Sequence, residues 1–285
     1  MTLEFWFMFP ISVLIATVAM SSGVEGATFF APLFLLALGL PPEIAIGTGL
    51  ITEVFGFASG VTAYVRRGLI DYRLARSLLV ATVPMALLGS WVAGVANPEM
   101  LKGVLGVGLF AVAFSFLRPP SADAVARADA ASRVAQGRPA ESRLVSANGE
   151  VFRYSVCNRG EGMLLAGLGA TFMGMISTGL GELNAYFLLR RCRVPSEVAV
   201  ATSVLVVAIT ALAAAGSHLL RFTREGGAVI DTVLSLVIFT VPGVIIGGQV
   251  GAAVASRIPQ HALERALGFL FLFVGGLLLV NVAFG

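Results

Sequence analysis

The chain has 285 residues, of which 57% are hydrophobic and only 12% are charged, and its mean hydropathy is +0.91. Soluble domains carry about 25% charged residues, so this composition excludes an ordinary soluble protein and indicates an integral membrane protein. The net charge of +3 comes from arginines in predicted loops, which argues against nucleic-acid binding. No Lys or Arg precedes Arg66, so the start lacks the basic region of a cleavable signal peptide, and we expect it to be retained.

The first apolar segment, Pro10 to Gly39, is too long for one straight span. Its about 30 residues would make a helix of roughly 45 Å, against a hydrocarbon core of roughly 30 Å. Small and polar residues interrupt it at Ser21-Ser22-Gly23-Val24-Glu25-Gly26. A helix can break there and direct backbone N–H groups at a cavity, provided that protein or water satisfies them.

Three ordinary spans follow the first broken segment. They are predicted at about 45–65, at about 77–96, and, after a short connection at Asn97-Pro98-Glu99, as far as about Leu117. Arg66 to Arg76 forms a basic loop between the first two. Arg118-Pro119-Pro120 ends the third, because proline cannot continue a helix.

The segment 119–161 is too polar to enter a bilayer and is predicted to be an insert. Its first part is compatible with a loose surface helix. In its second part, Arg143–Ala147 and Glu150–Tyr154 flank Asn148-Gly149, which is the strongest short hairpin signal. We expect a small solvent-exposed β-hairpin there, with a disordered linker as the alternative.

A second broken segment opens the rest of the chain. Gly162 to Leu189 is again apolar and is interrupted at Ser177-Thr178-Gly179-Leu180-Gly181-Glu182. Spans are predicted after it at about 198–220, 230–255 and 262–283. Paired interrupted segments in two halves of a chain indicate the binding site of a secondary transporter.

The two halves also share motifs in the same order, which indicates an internal repeat. The matched pairs are Leu40–Gly49 with Val194–Ser203, Ile70-Asp71 with Ile230-Asp231, and Val83-Pro84 with Val241-Pro242. We therefore predict two transmembrane repeats, 1–118 and 162–285, separated by the insert.

The distribution of basic residues outside the insert predicts the topology, because cytoplasmic loops carry the excess of Lys and Arg. If each broken segment crosses the membrane once, six of these residues fall on each side. If each is a hairpin that returns to its starting side, nine fall inside and three outside. The nine are Arg66, Arg67, Arg73, Arg76, Arg190, Arg191, Arg193, Arg257 and Arg265. The hairpin arrangement is preferred, and it predicts inverted repeats with a cytoplasmic insert and both termini periplasmic.

Hydroxyl groups and glycines at the breaks are the predicted substrate site. The N-terminus of a helix offers unpaired N–H donors and a partial positive charge, so two such ends can bind an anion without Lys or Arg. The alternative is that small residues only allow close helix packing. The candidates are Ser21, Ser22, Gly23, Thr48, Ser177, Thr178, Gly179 and Thr202.

Glu25, Glu53 and Glu182 are the acidic residues placed well inside apolar segments, where an ionised carboxylate is costly and functional by default. Either they titrate and couple proton movement to transport, or they accept hydrogen bonds from the broken backbone and hold its shape. A carboxylate beside an anion would repel it, so at least one should be protonated when an anion binds. We expect Glu25 to matter more than Glu182.

The other polar residues of the spans are weaker candidates. Cys157 and Cys192 are far apart, without a C-x-x-C, so we interpret them as incidental. His218 is interpreted as an interfacial histidine. Further weak candidates are Asn184, Tyr64 and Gln249, while Trp6 and Trp91 are expected to be interface and lipid-facing residues.

The order of these motifs resembles the TauE/SafE family of membrane transporters, also called toluene-sulfonate uptake permeases. The resemblance rests on the glycine-containing first break, Pro32, the run Leu40–Thr48 and the run Tyr64–Asp71. It implies transport of sulfur-containing anions such as sulfite or sulfonates. The chain differs from the family pattern, which has a glycine cluster at the break, in carrying Glu25 and Glu182 there.

The sequence therefore predicts an all-α secondary transporter in a bacterial inner membrane, with a small anionic substrate and protons as the coupling ion. No cofactor, metal or nucleic acid is expected, and a homodimer is left open. One rival is a membrane-embedded lipid-pyrophosphate phosphatase, but no Arg, Lys or His adjoins the glutamates to bind a pyrophosphate. The other is a non-transporting sensor or assembly factor that docks through the insert.

Overall fold

A computed structural model describes residues 3–22, 25–117, 142–254 and 260–284, and these are largely helical. The α-helices are α1 Met8–Ser22, α2 Ala27–Leu36, α3 Pro42–Arg67, α4 Tyr72–Val95, α5 Pro98–Leu117, α6 Arg159–Ile176, α7 Leu180–Ala185, α8 Ser196–Glu225, α9 Gly227–Val254 and α10 Gln260–Phe284. A 3-10 turn at Leu3–Phe5 precedes them, and α7 continues as a π-helix at Tyr186–Arg191. Strands β1 Ser142–Val145 and β2 Val151–Tyr154 lie between α5 and α6.

Six helices in the described ranges are long and apolar enough to cross a membrane. They are α3, α4, α5, α8, α9 and α10, at the places predicted for the ordinary spans. α1 and α2 are shorter apolar helices on either side of the first break. The predicted all-α membrane architecture is confirmed, while the inverted orientation of the repeats and the side of the insert stay predictions.

The matched prolines Pro41 and Pro195 mark helix starts, whereas Pro84 and Pro242 of the other matched pair lie inside α4 and α9. Pro41 precedes α3, which has Pro42 in its first turn, and Pro195 precedes α8. Proline suits this position because its φ is preset for a helix and its missing N–H is not needed in the first turn. Asp71 starts α4, where its side chain accepts hydrogen bonds from two backbone N–H groups of the first turn.

The two halves exchange contacts in matched pairs. α1 packs on α9 and α6 packs on α4, while α3 packs on α8 and α5 packs on α10. Thr52 and Thr240 share a hydrogen bond of 2.8 Å, and Thr82 and Thr210 share another of 2.8 Å. Thr240 lies 158 positions after Thr82, the same separation as between Pro84 and Pro242, so matched positions of α4 and α9 each bond a threonine of the other half.

The second broken segment folds back on itself. Gly169 of α6 lies against α7, so that a Cβ there would come within 2.8 Å of Leu180 Cα. Farther from the turn on both arms, Cys157 and Cys192 form a disulfide with their Cα atoms 5.1 Å apart. The segment is therefore a helical hairpin, and its two ends lie side by side.

The interpretation of Cys157 and Cys192 as incidental is wrong. The residues are 35 positions apart in the sequence, and only the return of the hairpin brings them together. Beside them, Arg191 Nε donates to Glu161 Oε1 at 2.9 Å, joining the same two arms. The base of the hairpin is closed by one covalent bond and one ion pair.

The predicted β-hairpin is confirmed, and its strands pair in antiparallel register with Leu144 opposite Phe152. Gly149 in the turn has a φ of 80°, which favours glycine. The expectation of a solvent-exposed hairpin holds for one face only, because Val145 and Val151 are 51% and 44% exposed whereas Phe152 and Tyr154 are 9% and 5% exposed. The loose helix predicted for the first part of the insert lies outside the described residues.

The β-hairpin docks on the loop between α3 and α4. Tyr154 Oη donates to Asp71 Oδ2 at 2.6 Å, and Ala147 N donates to Arg67 O at 2.9 Å. Burial and the hydrogen bond to Asp71 raise the pKa of Tyr154, so the hydroxyl keeps its proton and stays a donor. The insert is thereby fixed to the first half of the molecule.

A substitution at Gly89 of α4 tests how closely α4 and α6 pack. A Cβ on Gly89 would collide with Thr171 O, whereas a Cβ on Gly56 of α3 would meet nothing within 4 Å. We expect Gly89→Ala to destabilise the protein by about 1–3 kcal/mol, and Gly56→Ala to leave stability unchanged. Thermal unfolding of the purified variants in detergent measures the difference. Equal unfolding temperatures would show that α4 and α6 are less tightly packed.

Tyr154 tests the docking of the β-hairpin. Tyr154→Phe removes a hydrogen bond to a carboxylate, so we expect a loss of about 1.5–3 kcal/mol and faster proteolysis within the insert. Tyr72→Phe is the matched control, because Tyr72 is 60% exposed. Limited proteolysis and thermal unfolding measure both effects. The docking contact is dispensable if the two variants behave alike.

Candidate functional site

At the first break, the carboxylate of Glu53 stands beside the start of α2. A Cβ on Gly26, the residue before α2, would lie 3.8 Å from Glu53 Oε1. Glu53 is 4% exposed, and its carboxylate lies near the backbone N–H groups of Gly26 and Ala27 without a hydrogen bond of good geometry within the described ranges. The start of a helix carries a partial positive charge, which stabilises a nearby carboxylate. The start of α2 therefore stabilises the buried carboxylate of Glu53.

The second break is shaped by backbone conformations that are unusual for a helix. Ser177, after α6, has a φ of 58°, and Gly179, before α7, has a φ of 116°. A positive φ is uncommon for serine and easy for glycine. Gly179 N donates to Glu182 Oε2 at 3.1 Å, so Glu182 holds the break of its own segment in shape.

The two breaks touch each other through two hydrogen bonds. Gly181 N donates to Glu25 Oε1 at 2.7 Å, and Thr28 Oγ1 donates to Thr178 Oγ1 at 3.1 Å. Glu25 is 6% exposed, and both threonines are buried. A carboxylate from the first break therefore takes a backbone donor of the second break, as expected if the two broken segments form one site.

Buried polar atoms without partners are concentrated at the breaks and on α3. Buried polar groups normally have partners, and leaving one unsatisfied costs about 1–3 kcal/mol. Around the breaks, the unpartnered atoms of the described chain are Ser177 Oγ, Thr48 Oγ1, Glu25 Oε2, both carboxylate oxygens of Glu53 and both amide atoms of Asn184. These groups can bind a solute, an ion or water.

Thr48 and Thr202 occupy matched positions of the repeat but differ in their contacts. Thr48 Oγ1 is among the unpartnered atoms, whereas Thr202 Oγ1 accepts a hydrogen bond from Asp71 N at 3.0 Å. Thr202 thus holds the loop before α4 rather than offering a free hydroxyl at the breaks. Of the other predicted residues, Ser21 and Ser22 form the end of α1, and Gly23 lies outside the described residues.

Two residues have a larger place in the site than the sequence suggested. Asn184, a weak candidate, is 1% exposed with its amide unpartnered, and Thr28, which was not predicted, joins the two breaks. Asn184 lies three positions after Gly181, and Thr28 lies three positions after Glu25. Gly181 and Glu25 form the hydrogen bond that joins the breaks. Helical spacing from Gly181 and from Glu25 could have indicated both, since residues three apart share a face.

His218 is not interfacial, so that interpretation is wrong. It is 1% exposed, and its Nε2 lies 3.0 Å from Gly174 O, a polar contact that joins α8 to α6. Gln249 Nε2 donates to Ser59 Oγ at 2.5 Å, so it joins α9 to α3. Trp6 and Trp91 are exposed, as expected of side chains at the interface or facing lipid.

The described part of the chain contains no group of three or more His, Cys, Asp or Glu side chains that could hold a metal ion. The carboxylates at the breaks instead accept backbone hydrogen bonds or stand unpaired. Glu53 and Glu182 are close enough to Glu25 to act on its charge. The site can therefore bind a proton on a carboxylate, and it offers hydroxyl and amide donors for an acceptor.

Comparison with known proteins identifies the family. The family model described as "Sulfite exporter TauE/SafE" matches residues 8–278. The chain belongs to this family. The predicted resemblance is thus confirmed, and the chain is a membrane transporter of the TauE/SafE type.

Curated relatives of this TauE/SafE protein have matching names. "Probable membrane transporter protein YunE" of Bacillus subtilis (strain 168) is 21% identical over 252 residues, covering 88% of this chain and 86% of that protein. "Probable membrane transporter protein YjnA" of the same organism is 31% identical over 102 residues, 34% of this chain and 40% of that protein. "Probable membrane transporter protein ORF9" of Sinorhizobium sp is 30% identical over 99 residues, 34% and 38%. No solved structure matches the chain at a significant level.

The two matched threonines give a test of which hydroxyl faces a solute. Thr202→Val leaves Asp71 N without its acceptor, so we expect a loss of about 1–3 kcal/mol with transport falling only as folded protein is lost. Thr48→Val removes an unpartnered buried hydroxyl, so we expect equal or higher stability and at least about tenfold slower transport. Thermal unfolding and uptake per folded molecule separate the two. Loss of stability in Thr48→Val with normal uptake would place its hydroxyl outside the site.

Proposed function

We propose that this TauE/SafE protein is a proton-coupled secondary transporter of small sulfur oxyanions, such as sulfite or sulfonates, that binds its solute between the two breaks. The observation that carries the proposal is the set of buried, unpartnered polar atoms next to two broken segments that touch. The family description, a sulfite exporter, supports the substrate class. The names of the relatives support transport.

Anion binding without a basic residue requires neutral donors. Ser177, Thr48 and the amide of Asn184 offer three such donors, and all are buried. An oxyanion with several oxygens can accept from each, and hydrogen bonds to an ionised acceptor are roughly twice as strong as neutral ones. A halide ion can also accept several hydrogen bonds, so the choice of a sulfur oxyanion rests on the family description.

Proton coupling follows from the carboxylates beside these donors. An ionised carboxylate would repel the anion, so a proton must neutralise at least one of them when the anion binds. Glu25 and Glu53 are the candidates to carry that proton, because each is buried and keeps at least one carboxylate oxygen without a hydrogen bond in the described structure. Glu182 is the weakest candidate to carry the proton, because its carboxylate accepts a hydrogen bond from Gly179 N of its own break. The expectation that Glu25 matters more than Glu182 therefore stays a prediction, and Glu53 joins Glu25 as a candidate.

The location and orientation are also part of the proposal. A multi-pass protein of the bacterial inner membrane, with the insert cytoplasmic and both termini periplasmic, agrees with the nine-to-three distribution of basic residues outside the insert. The returning hairpin of α6 and α7 is the kind of segment that this topology needs. On the cytoplasmic side, which is reducing, Cys157 and Cys192 would be paired thiols that form their disulfide only under oxidation.

Flux into proteoliposomes tests the function and the role of Glu53 together. We expect uptake of radiolabelled sulfite or methanesulfonate by the wild type to rise when a proton gradient is imposed. Glu53→Gln mimics the protonated acid, so it should still exchange solute across the membrane but accumulate about tenfold less or lower. Glu197→Gln is the matched control, because Glu197 lies at the surface in an ion pair with Arg67.

Three outcomes are decisive for this proposal. Gradient-driven accumulation by Glu53→Gln at the wild-type level would assign the proton to another group. Absence of sulfite and sulfonate flux in wild-type vesicles would reject the anion substrate. Flux that ignores the proton gradient would leave an anion transporter without proton coupling.

A further inference from the structure

The hydrogen bond between Gly181 N and Glu25 Oε1 occupies a donor at the breaks that an anion could use. The donor and acceptor are 2.7 Å apart, and they come from segments 156 positions apart in the sequence. Glu25 is 6% exposed, and its second oxygen, Oε2, has no partner in the described ranges. A carboxylate oxygen is thus already bound to the backbone at the break, in a buried and solvent-poor place.

We propose that Glu25 is a tethered substitute for the transported anion, whose ionised carboxylate fills part of the anion site and leaves it when protonated. The inference rests on the proposed function and names the residue that regulates access to the site. It differs from a general role in proton coupling, because it predicts direct competition between one side chain and the solute for one backbone N–H.

The chemistry of the two acceptors supports competition. Carboxylate and sulfonate oxygens both carry negative charge and accept the same kind of N–H bond, and such charge-assisted bonds are roughly twice as strong as bonds to neutral acceptors. A protonated Glu25 is a neutral acceptor, so it holds Gly181 N–H less tightly. The proton that enters on Glu25 therefore frees the donor for the anion and removes one negative charge from the site.

Glu25 and Glu182 differ in a way that singles out Glu25. Glu182 binds Gly179 N, three positions away in its own segment, so it belongs to the fold of the break. Glu25 reaches across from the other half, from the link between α1 and α2, and can leave without unwinding the second break. Ser177 and Asn184 of the second segment are buried and unpartnered, so they can complete the hydrogen bonds of an incoming anion.

The charged surroundings of Glu25 give the sign of the pH dependence. The titratable groups that face it are Glu53 from α3 and Glu182 from α7, and both are acidic. An anion that replaces the Glu25 carboxylate therefore binds together with a proton. If one proton is taken up per anion, affinity should rise about tenfold for each pH unit of acidification across the range in which Glu25 titrates.

Two variants disrupt the hydrogen bond between Gly181 N and Glu25 Oε1 in different ways. They distinguish a carboxylate that competes with the anion from one that only stabilises the breaks. Glu25→Gln keeps the shape of the side chain but removes its charge. Gly181→Ala keeps every titratable group, but its Cβ would lie 2.5 Å from Glu25 Oε1 and must displace the carboxylate while crowding the N–H. If this hydrogen bond only stabilises the structure of the breaks, both variants lose it, and both should bind the anion more weakly than the wild type.

The experiment measures equilibrium binding of methanesulfonate to purified full-length protein in nanodiscs between about pH 5 and pH 8, where the charge of this probe is constant. We expect Glu25→Gln to bind about tenfold or more tightly than the wild type at neutral pH, with a flattened pH profile. Gly181→Ala should bind more weakly than the wild type at every pH. Glu25→Asp, which keeps the charge but shortens the reach, should also bind more tightly at neutral pH.

The outcomes distinguish this inference from the proposed function. Weaker binding in both Glu25→Gln and Gly181→Ala, or an unchanged pH profile in Glu25→Gln, would overturn the substitute role and leave the anion transporter in place. Failure of the wild type to bind methanesulfonate or sulfite at any pH would reject the proposed function itself. If Glu25→Gln does not fold, weaker binding by Glu25→Asp at neutral pH overturns the inference.

Discussion

A broken helix inside a bilayer must find a partner for each backbone N–H that it frees, because lipid offers none. This requirement explains why an apolar chain carries glutamates at its centre. Gly179 N and Gly181 N of the second break both donate to carboxylates, one from the same segment and one from the other half of the molecule. The breaks and the glutamates therefore depend on each other, and the unpartnered oxygens left over are what the site can offer to a proton.

Features with a local signal could be predicted from the sequence, and those made by distant residues could not. The breaks, the six spans, the proline helix starts and the Asn148-Gly149 turn all follow from short-range patterns. The disulfide of Cys157 and Cys192, the burial of His218 against α6, and the bond of Thr202 to the Asp71 loop arise from packing between segments far apart in the sequence. The sequence shows that these cysteine, histidine and threonine residues are unusual in apolar segments. Their structural roles depend on contacts with distant segments, which the sequence does not reveal.

The two halves share an architecture, yet they have diverged where the site lies. Asp71 precedes α4 and caps it, whereas its repeat counterpart Asp231 lies inside α9. The extra length of α8, 30 residues against 26 in α3, adds about one turn to the second copy. Of the matched threonines, only Thr202 has a loop partner, while Thr48 has none in the described chain. At this matched position the second half makes a structural hydrogen bond, and the first half keeps a buried hydroxyl without a partner among the described residues.

The docked β-hairpin has a mechanical consequence under the proposed function, in which the site opens to each side of the membrane in turn. Tyr154 binds the side chain of Asp71, and the backbone of Asp71 binds Thr202 of α8, so three parts of the chain meet at one residue. Rocking of one half against the other is the usual motion of transporters with repeats. Such a motion either turns about this meeting point, as about a pivot, or breaks its hydrogen bonds. The insert thereby holds a position from which the conformational cycle can be slowed or biased.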